Sequence, residues 1–115
     1  MVIVVQVTIR TNEELVYFTR RYISKSLNRA IDAFIAYFDF DARRIGRILK
    51  NMPSVNKDYT TSIRFRHCTL YFIDQVCAVT RFSRSEVITR ILKMFYDYDA
   101  ELLGDDLVFR RKLER

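Results

Sequence analysis

The chain has 115 residues, enough for one domain or two very small ones, and a formal net charge of +6. Half of its residues are hydrophobic, so we expect a stable core only if both halves of the chain share it. The excess of Lys and Arg favours a polyanionic partner, although a solvated basic surface without a partner is the alternative. A single histidine and the lack of a CxxC pair argue against a structural zinc site.

The first half of the chain predicts a strand, two helices and a basic extension. Val2 to Arg10 is β-branched, with apolar residues at its odd positions, which is the period of a strand. TNEE at 11 to 14 predicts a capping box, in which the threonine caps a helix and the second glutamate reaches back. ISKS at 23 to 26 predicts a turn before a second helix with apolar residues at helical spacing. Gly46 is then expected to interrupt a short basic extension through Lys50.

The second half repeats this order after a linker. NMPSVNKD at 51 to 58 holds the only proline and predicts that linker. YTTSIRFR at 59 to 66 alternates as a strand does, and FSRS at 82 to 85 predicts a turn between two further helices. The predicted divisions are a first unit with its basic extension at 1–50, the linker at 51–58, a second unit at 59–98 and a C-terminal extension at 99–115.

Two pairs of matching segments indicate an internal duplication. YFDFDARRIG at 37 to 46 and FYDYDAELLG at 95 to 104 share one pattern, and the only two glycines of the chain end it. VTIR at 7 to 10 matches TSIR at 61 to 64 at an offset of 54, whereas the longer motifs match at 58. Four residues are about one helical turn, so the first helix of the first unit is predicted to be one turn shorter.

The second unit, TSIRFRHCTLYFIDQVCAVTRFSRSEVITRILKMF, resembles the ribbon-helix-helix family of DNA-binding regulators, the Arc, MetJ and CopG type. The likeness lies in the alternating strand with a polar outer face, a helix of about four turns, and the start of the next helix at FSRSEVI. It covers about 35 residues here and, more weakly, residues 4 to 38. The resemblance implies a mainly α fold with a short antiparallel β-ribbon, in which a duplicated ribbon-helix-helix forms an intrachain pseudo-dimer.

The chain departs from that family in two respects. Ordinary members carry one unit and form homodimers, whereas both units lie here in one chain, as in tandem members from conjugation accessory proteins and archaeal viruses. The first unit has Asn28 where the second has Glu86, so its match to the family's phosphate clamp is incomplete. A composition rich in Ile, Tyr and Arg suggests a viral protein of thermophilic archaea that acts in the host cytoplasm. Two unpaired thiols, Cys68 and Cys77, also suit a reducing cytoplasm.

The resemblance implies two sets of DNA contacts. Outward side chains of the ribbon would read base edges in the major groove, and the starts of the second helices would bind phosphate through free N–H groups and the helix dipole. The base-reading set is Gln6, Thr8, Arg10, Thr60, Ser62 and Arg64, and the phosphate-binding set is Ser24, Lys25, Ser26, Ser83, Arg84 and Ser85. The alternatives are an ordinary solvated sheet face for the first set and plain N-capping for the second.

The remaining charged groups are predicted to be structural or solvated. The pairs Asp39/Asp41 and Asp97/Asp99 have i, i+2 spacing, which favours helix-end or turn positions over a catalytic or metal site. Two basic runs are expected to be solvated faces that can graze phosphates, namely Arg43, Arg44, Arg47 and Lys50, and Arg110, Arg111, Lys112 and Arg115. LVFRRK at 107 to 112 has strand character and is expected to flank the ribbon as a third strand.

These patterns predict a sequence-specific, double-stranded DNA-binding transcriptional regulator, such as a repressor, rather than an enzyme. No cofactor, metal or membrane contact is expected, since no run approaches the ~18 apolar residues of a membrane helix and the apolar N-terminal stretch lacks a signal peptide's basic region. Self-association of pseudo-dimers along DNA is a further expectation. Two alternatives remain open: an antitoxin-like protein-interaction module that binds a partner through the segment from Ala100, and a non-specific DNA-packaging protein.

Overall fold

Helices make up most of the chain, and two short antiparallel sheets accompany them. The computed structural model describes residues 3–111, and residues 1, 2 and 112–115 lie outside that range. In chain order the elements are β1 (Val4–Thr11), α1 (Glu13–Tyr22), α2 (Leu27–Tyr37), α3 (Ala42–Lys50), β2 (Tyr59–Arg66), α4 (His67–Thr80), α5 (Arg84–Asp97), β3 (Ala100–Leu103) and β4 (Asp106–Phe109). The prediction of a mainly helical fold with an antiparallel ribbon is confirmed at this level.

The two long strands form the ribbon. β1 and β2 pair antiparallel from Val4 opposite Arg66 to Thr11 opposite Tyr59, as expected from their alternating patterns. One face of this ribbon covers the helices, because β-branched and aromatic side chains alternate with polar ones along each strand. The buried side chains of that inner face include Val7, Ile9, Ile63 and Phe65.

The start of α1 differs from the predicted capping box. Asn12 is the N-cap, and its side chain accepts a hydrogen bond from Leu15 N at 3.1 Å. Thr11 is instead the last residue of β1, where strand alternation turns it inward until it is fully buried. Its Oγ1 lies 2.7 Å from Oγ1 of Thr89, a residue of α5. The threonine therefore joins β1 to α5, and capping passes to the asparagine that follows it.

α1 and α4 differ in length as the two sequence offsets predict. α1 has 10 residues and α4 has 14, which is the extra turn expected from the two sequence offsets. α1 ends at Tyr22 and α2 is capped by Ser26, whereas α4 ends at Thr80 and α5 is capped by Ser83. The connection before α5 is therefore one residue shorter than the connection before α2. The second helices therefore match one residue away from the sequence alignment. With this shift the fully buried Phe38 corresponds to the fully buried Phe95.

α3 continues through the glycine that was expected to interrupt it. Gly46 is buried inside α3, and a Cβ at this position would lie 3.1 Å from Val79 Cγ1 and 3.2 Å from Thr80 Cγ2. The lack of a side chain lets α3 approach α4 closely. The prediction of a break at Gly46 is wrong, because the glycine serves helix packing.

The C-terminal segment forms a hairpin with its own neighbour. β3 and β4 pair from Ala100 opposite Phe109 to Leu103 opposite Asp106, through a turn in which Gly104 has a φ of 67°. The expected strand character of residues 107–109 is confirmed, but their expected position beside the ribbon is wrong. A glycine at a left-handed turn lets the chain fold straight back, so the nearest preceding strand becomes the partner. Lys112, the end of the predicted strand, lies outside the described residues.

The two halves of the chain share one core. β1 from the first half pairs with β2 from the second, and α5 lies against both β1 and α1. The rings of Phe34 in α2 and Phe95 in α5 meet edge to face, with centroids 5.9 Å apart. Within residues 3–111, no helix combines the length and the apolar character required to traverse a bilayer.

Candidate nucleic-acid interface

The outer face of the ribbon carries the six side chains predicted to read bases. All six are exposed, and they form three cross-strand pairs, Gln6 with Arg64, Thr8 with Ser62, and Arg10 with Thr60. At the middle of this face, Thr8 Oγ1 and Ser62 Oγ lie 3.0 Å apart and share a hydrogen bond. The predicted outward orientation is confirmed, whereas contact with DNA stays a prediction.

Arg66 extends the same face and was missing from the predicted set. It lies opposite Val4 at the end of β2, and its side chain is 50% exposed. Its Nη2 donates to Asp32 Oδ2 at 2.6 Å, which holds the guanidinium at the edge of the ribbon. The alternation of Arg64, Phe65 and Arg66 could have identified this residue, because it continues the period of the strand by one step.

The two arginines at matching ribbon positions differ in their contacts. Arg10 Nε donates to the carbonyl oxygen of Lys57 in the linker, at 3.0 Å. No hydrogen bond from the guanidinium of Arg64 occurs within residues 3–111, so this side chain stands free on the surface. Arg10 is therefore oriented by the linker, whereas Arg64 is not.

The N-termini of α5 and α2 lie at opposite ends of the ribbon. The backbone N–H of Arg10 donates to Ser85 Oγ at 3.1 Å, which brings the first turn of α5 to one end. The backbone N–H of Arg66 donates to Asn28 Oδ1 at 3.0 Å, which brings the first turn of α2 to the other. Between these ends, β1 rises by about 20 Å from Val4 to Arg10.

Both helix starts combine a side-chain cap with N–H groups that lie before the first helical hydrogen bond. Ser26 Oγ accepts from Arg29 N at 3.2 Å, and Ser83 Oγ accepts from Glu86 N at 3.1 Å. Ser24 Oγ accepts from Ser26 N at 3.1 Å and so stabilises the turn before α2. Plain N-capping therefore occurs at both starts. The N–H groups of residues 27, 28, 84 and 85 come before the first helical hydrogen bonds.

The two predicted phosphate-binding cations differ in whether an ion pair within the protein already engages them. Arg84 donates twice to Asp74, through Nε to Oδ1 at 2.7 Å and through Nη2 to Oδ2 at 2.8 Å. The hydrogen bonds from Arg84 lower the pKa of the Asp74 carboxyl below its ordinary value. Lys25 is exposed, and no ion pair involves it within residues 3–111. Lys25 is thus the more available of the two for an external anion.

A partly buried ionic network joins the linker to the first turns of α5. Glu86 accepts from Lys57 Nζ at 2.5 Å and from Arg90 Nε at 2.6 Å. Arg90 also donates to the carbonyl oxygens of Leu49 and Met52, at 2.8 and 2.5 Å, and thereby binds the C-terminal end of α3. Burial by itself raises the pKa of Glu86, but hydrogen bonds from the two cations outweigh it and lower the pKa overall.

The aspartate pairs serve as helix-end and turn groups, as predicted. Asp41 caps α3 by accepting from Arg44 N at 3.1 Å, and Asp97 is the last residue of α5. Asp39 and Asp99 have φ values of 55° and 50° in the turns after α2 and α5, a conformation that aspartate tolerates better than most residues. Within residues 3–111, no group of three or more His, Cys, Asp or Glu side chains can hold a metal ion.

The two basic runs differ in how far their charges are compensated. Arg43, Arg47 and Lys50 are exposed on α3, while the Arg44 guanidinium lies 5.3 Å from the centre of the Phe38 ring. Arg110 forms an ion pair with Glu101. Arg111 is exposed, and the remaining members of that run, Lys112 and Arg115, lie outside the described residues.

Comparisons of this chain with protein-family models, with curated proteins and with solved structures found no match. Function is therefore inferred from the residues themselves. The ribbon is the surface with the most specific arrangement, because its polar face, the two helix starts and the linker all meet there.

Proposed function

We propose that this chain is a sequence-specific, double-stranded DNA-binding regulator of transcription, with a tandem ribbon-helix-helix architecture. The observation that carries the proposal is the exposed two-stranded ribbon with an anion-suited helix start at each end. In this architecture the single chain supplies both strands and acts as a pseudo-dimer. The two free cysteines, Cys68 and Cys77, fit a cytoplasmic site of action.

The chemistry of the outer face supports insertion into the major groove. A two-stranded ribbon fits a groove about 12 Å wide, in which every base pair presents a distinct pattern of donors and acceptors. Arg10 and Arg64 can each donate two hydrogen bonds to guanine, and Gln6 can pair with adenine. The hydroxyls of Thr8 and Ser62 can donate or accept at the centre of the site.

A pseudo-twofold axis between Thr8 and Ser62 is consistent with the strand register. Such an axis relates Arg10 to Arg64 and Gln6 to Thr60, the same pairs that the sequence repeat aligns. It also relates α1 to α4 and α2 to α5, which occur in the same order in each half. An operator bound in this way is expected to have approximate inverted symmetry.

The two helix starts are spaced to hold the backbone on both sides of the bound groove. They lie at ribbon ends separated by about 20 Å, wider than the groove of about 12 Å. Their free N–H groups and helix dipoles favour phosphate, and Lys25 adds a mobile charge at one start. Such contacts would fix the register of the ribbon without specifying sequence.

Selection of duplexes from random DNA tests the proposal. An enriched motif with approximate inverted symmetry is the expected result. Binding with a steep salt dependence but no preferred sequence would instead favour a DNA-packaging protein.

Failure to bind any duplex, together with a co-purifying protein, would favour the antitoxin-like alternative. Leu103→Asp would then test the exposed hairpin as the partner site. Deletion from residue 100 is less informative, because it removes the buried Ala100 and Leu107.

A further inference from the structure

The two ends of the ribbon are flanked by different elements, a basic helix at one and a hairpin with an acidic turn at the other, although the pseudo-twofold axis would make them equivalent. One end meets α5 and lies next to the basic helix α3, and the other meets α2 and lies next to the hairpin β3–β4. The inference drawn from this difference rests on the proposed function, because it concerns how the same ribbon lies on DNA.

At the α5 end, a series of polar contacts leads from the ribbon to α3. Arg10 Nε donates to Lys57 O, Lys57 Nζ binds Glu86, and Glu86 binds Arg90. Arg90 in turn holds the last carbonyl groups of α3 and the adjoining linker. The C-terminal end of α3 is thereby fixed beside the helix start that would contact phosphate.

The exposed face of α3 is a stripe of three cations, Arg43, Arg47 and Lys50, referred to as the basic stripe. Their i, i+4, i+7 spacing confines them to about 60° of the helix surface and spreads them over about 10 Å along its axis. All three are exposed, and no ion pair within residues 3–111 involves any of them. An uncompensated stripe of this kind is suited to the phosphate backbone.

At the α2 end, the turn of the hairpin brings acidic groups to the corresponding position. Arg29, in the first turn of α2, donates from Nη2 to Gly104 O at 2.9 Å and to Asp105 Oδ1 at 3.2 Å. Asp106, the first residue of β4 directly after this turn, is also exposed. Beyond the helix start and Lys25, this side therefore presents an engaged arginine and two exposed carboxylates, which oppose contact with flanking phosphates.

We propose that DNA is bound asymmetrically, with the basic stripe of α3 contacting phosphates beyond the ribbon on the α5 side only. The α2 helix start and Lys25 still contact the groove backbone, but the acidic hairpin turn keeps the flanking DNA beyond them away from the protein. The protected stretch of DNA is then longer on one side of the pseudo-twofold axis, and the protein has a fixed orientation on its operator.

Hydroxyl-radical footprinting on the selected duplex, with flanks extended on both sides, tests the proposal. The variant that removes the stripe is Arg43→Gln, Arg47→Gln, Lys50→Gln. The matched control is Arg20→Gln, Arg21→Gln, Arg111→Gln, which removes the same charge from exposed sites on α1 and the C-terminal segment. The unmodified protein should protect one flank further than the other. The stripe variant should not show that extra protection, and its salt slope should fall by about 0.9 for each phosphate it no longer neutralises, beyond the change in the control.

A variant that removes negative charge at the α2 end tests the same proposal independently of the stripe variant. Asp105→Asn, Asp106→Asn removes the repulsion at the α2 end, so protection of the shorter flank and overall affinity should both increase. Equal protection of the two flanks, or equal effects of the stripe and control variants, would overturn the asymmetric binding while leaving specific DNA binding intact. An absence of any selected motif would instead count against the proposed function, and the inference would fall with it.

Discussion

Arg10 and Arg64 are the residues on which base specificity is expected to depend most. We predict that alanine at either position weakens binding to the selected duplex by about 5- to 150-fold, equivalent to about 1–3 kcal/mol for a bidentate contact with guanine. Binding to a scrambled duplex should change little. Titration of both duplexes, with Arg20→Ala as the control, measures the effect. An equal loss on both duplexes would assign the arginines to phosphate and leave base recognition to Gln6, Thr8, Thr60 and Ser62.

Substitution of Lys25 or Arg84 should weaken binding to all sequences rather than base specificity, and the two substitutions should differ in the size of that effect. Lys25→Ala is predicted to weaken binding to all sequences and to lower the salt slope by about 0.9, as expected for one phosphate contact. Arg84→Ala should have the smaller effect on the slope, because Asp74 already accepts two hydrogen bonds from its guanidinium. Salt titrations of the two variants against one scrambled duplex provide the comparison. A larger slope change for Arg84→Ala would mean that DNA displaces Asp74.

Glu86 gives the ionic network a defined dependence on pH. Its pKa in the folded protein lies below the ordinary 4.5, so its ion pairs stabilise the fold above that pH and are lost as the pH falls through the lowered value. We predict that Glu86→Gln costs about 1–3 kcal/mol near pH 7 and that this cost shrinks as the pH falls below about 4.5. Urea unfolding across this range, with Glu14→Gln as an exposed control, checks the prediction. A cost for Glu86→Gln that is constant with pH would contradict it.

At the scale of whole elements, one buried hydroxyl pair fastens β1 to α5. Thr11 and Thr89 are both fully buried, and their hydroxyls bond to each other at 2.7 Å. Thr11→Val or Thr89→Val alone should destabilise the fold by about 1–3 kcal/mol, because the remaining hydroxyl loses that partner. The double variant should be nearly neutral, since valine has almost the same shape. A double-mutant cycle from urea unfolding tests this, and additive effects would show that the hydroxyls are not coupled.

The ribbon could be predicted from sequence, whereas the continuity of α3 through Gly46 and the pairing of the hairpin could not. Alternation of apolar and polar residues fixes both the strands and their outward side chains, because each strand has one buried face. Residues 37–46 and 95–104 share a motif, yet the first continues into α3 and the second into β3. In the first segment Gly46 packs closely against α4 inside a helix, whereas in the second segment Gly104 forms the left-handed turn of the hairpin. These are tertiary differences that a shared local pattern cannot distinguish.

The site was predictable to a similar degree. The outward orientation of the predicted base-reading set follows from strand periodicity. The capping roles of Ser26 and Ser83 follow from the preference for serine at helix N-caps. Arg10 contacts Lys57, and Arg90 contacts the end of α3. These contacts join residues about 40 or more positions apart, so no local sequence pattern predicts them. Those contacts decide which cations remain free for the proposed DNA contacts.

At the scale of the whole molecule, each half of the chain is incomplete without the other. Each half supplies only one strand of the ribbon, and a lone strand has no partner for its backbone groups. Phe34 and Phe95 also lie in different halves, and their rings meet in the shared core. A chain of about 50–60 residues buries a smaller fraction of its surface than a longer chain does, so the loss of half the core should leave little stability.

We therefore predict that fragments 1–52 and 53–115 do not fold as separate monomers but recover helical structure as a 1:1 complex when mixed. Recovery should depend on concentration, because two chains must associate where one linker had joined them. Circular dichroism and light scattering measure the helix content and mass of each fragment and of the mixture. Phe95→Ala in the second fragment should weaken association, since it removes a fully buried ring at the junction. Two independently folded, monomeric fragments would contradict the shared core, and with it the proposed pseudo-dimer.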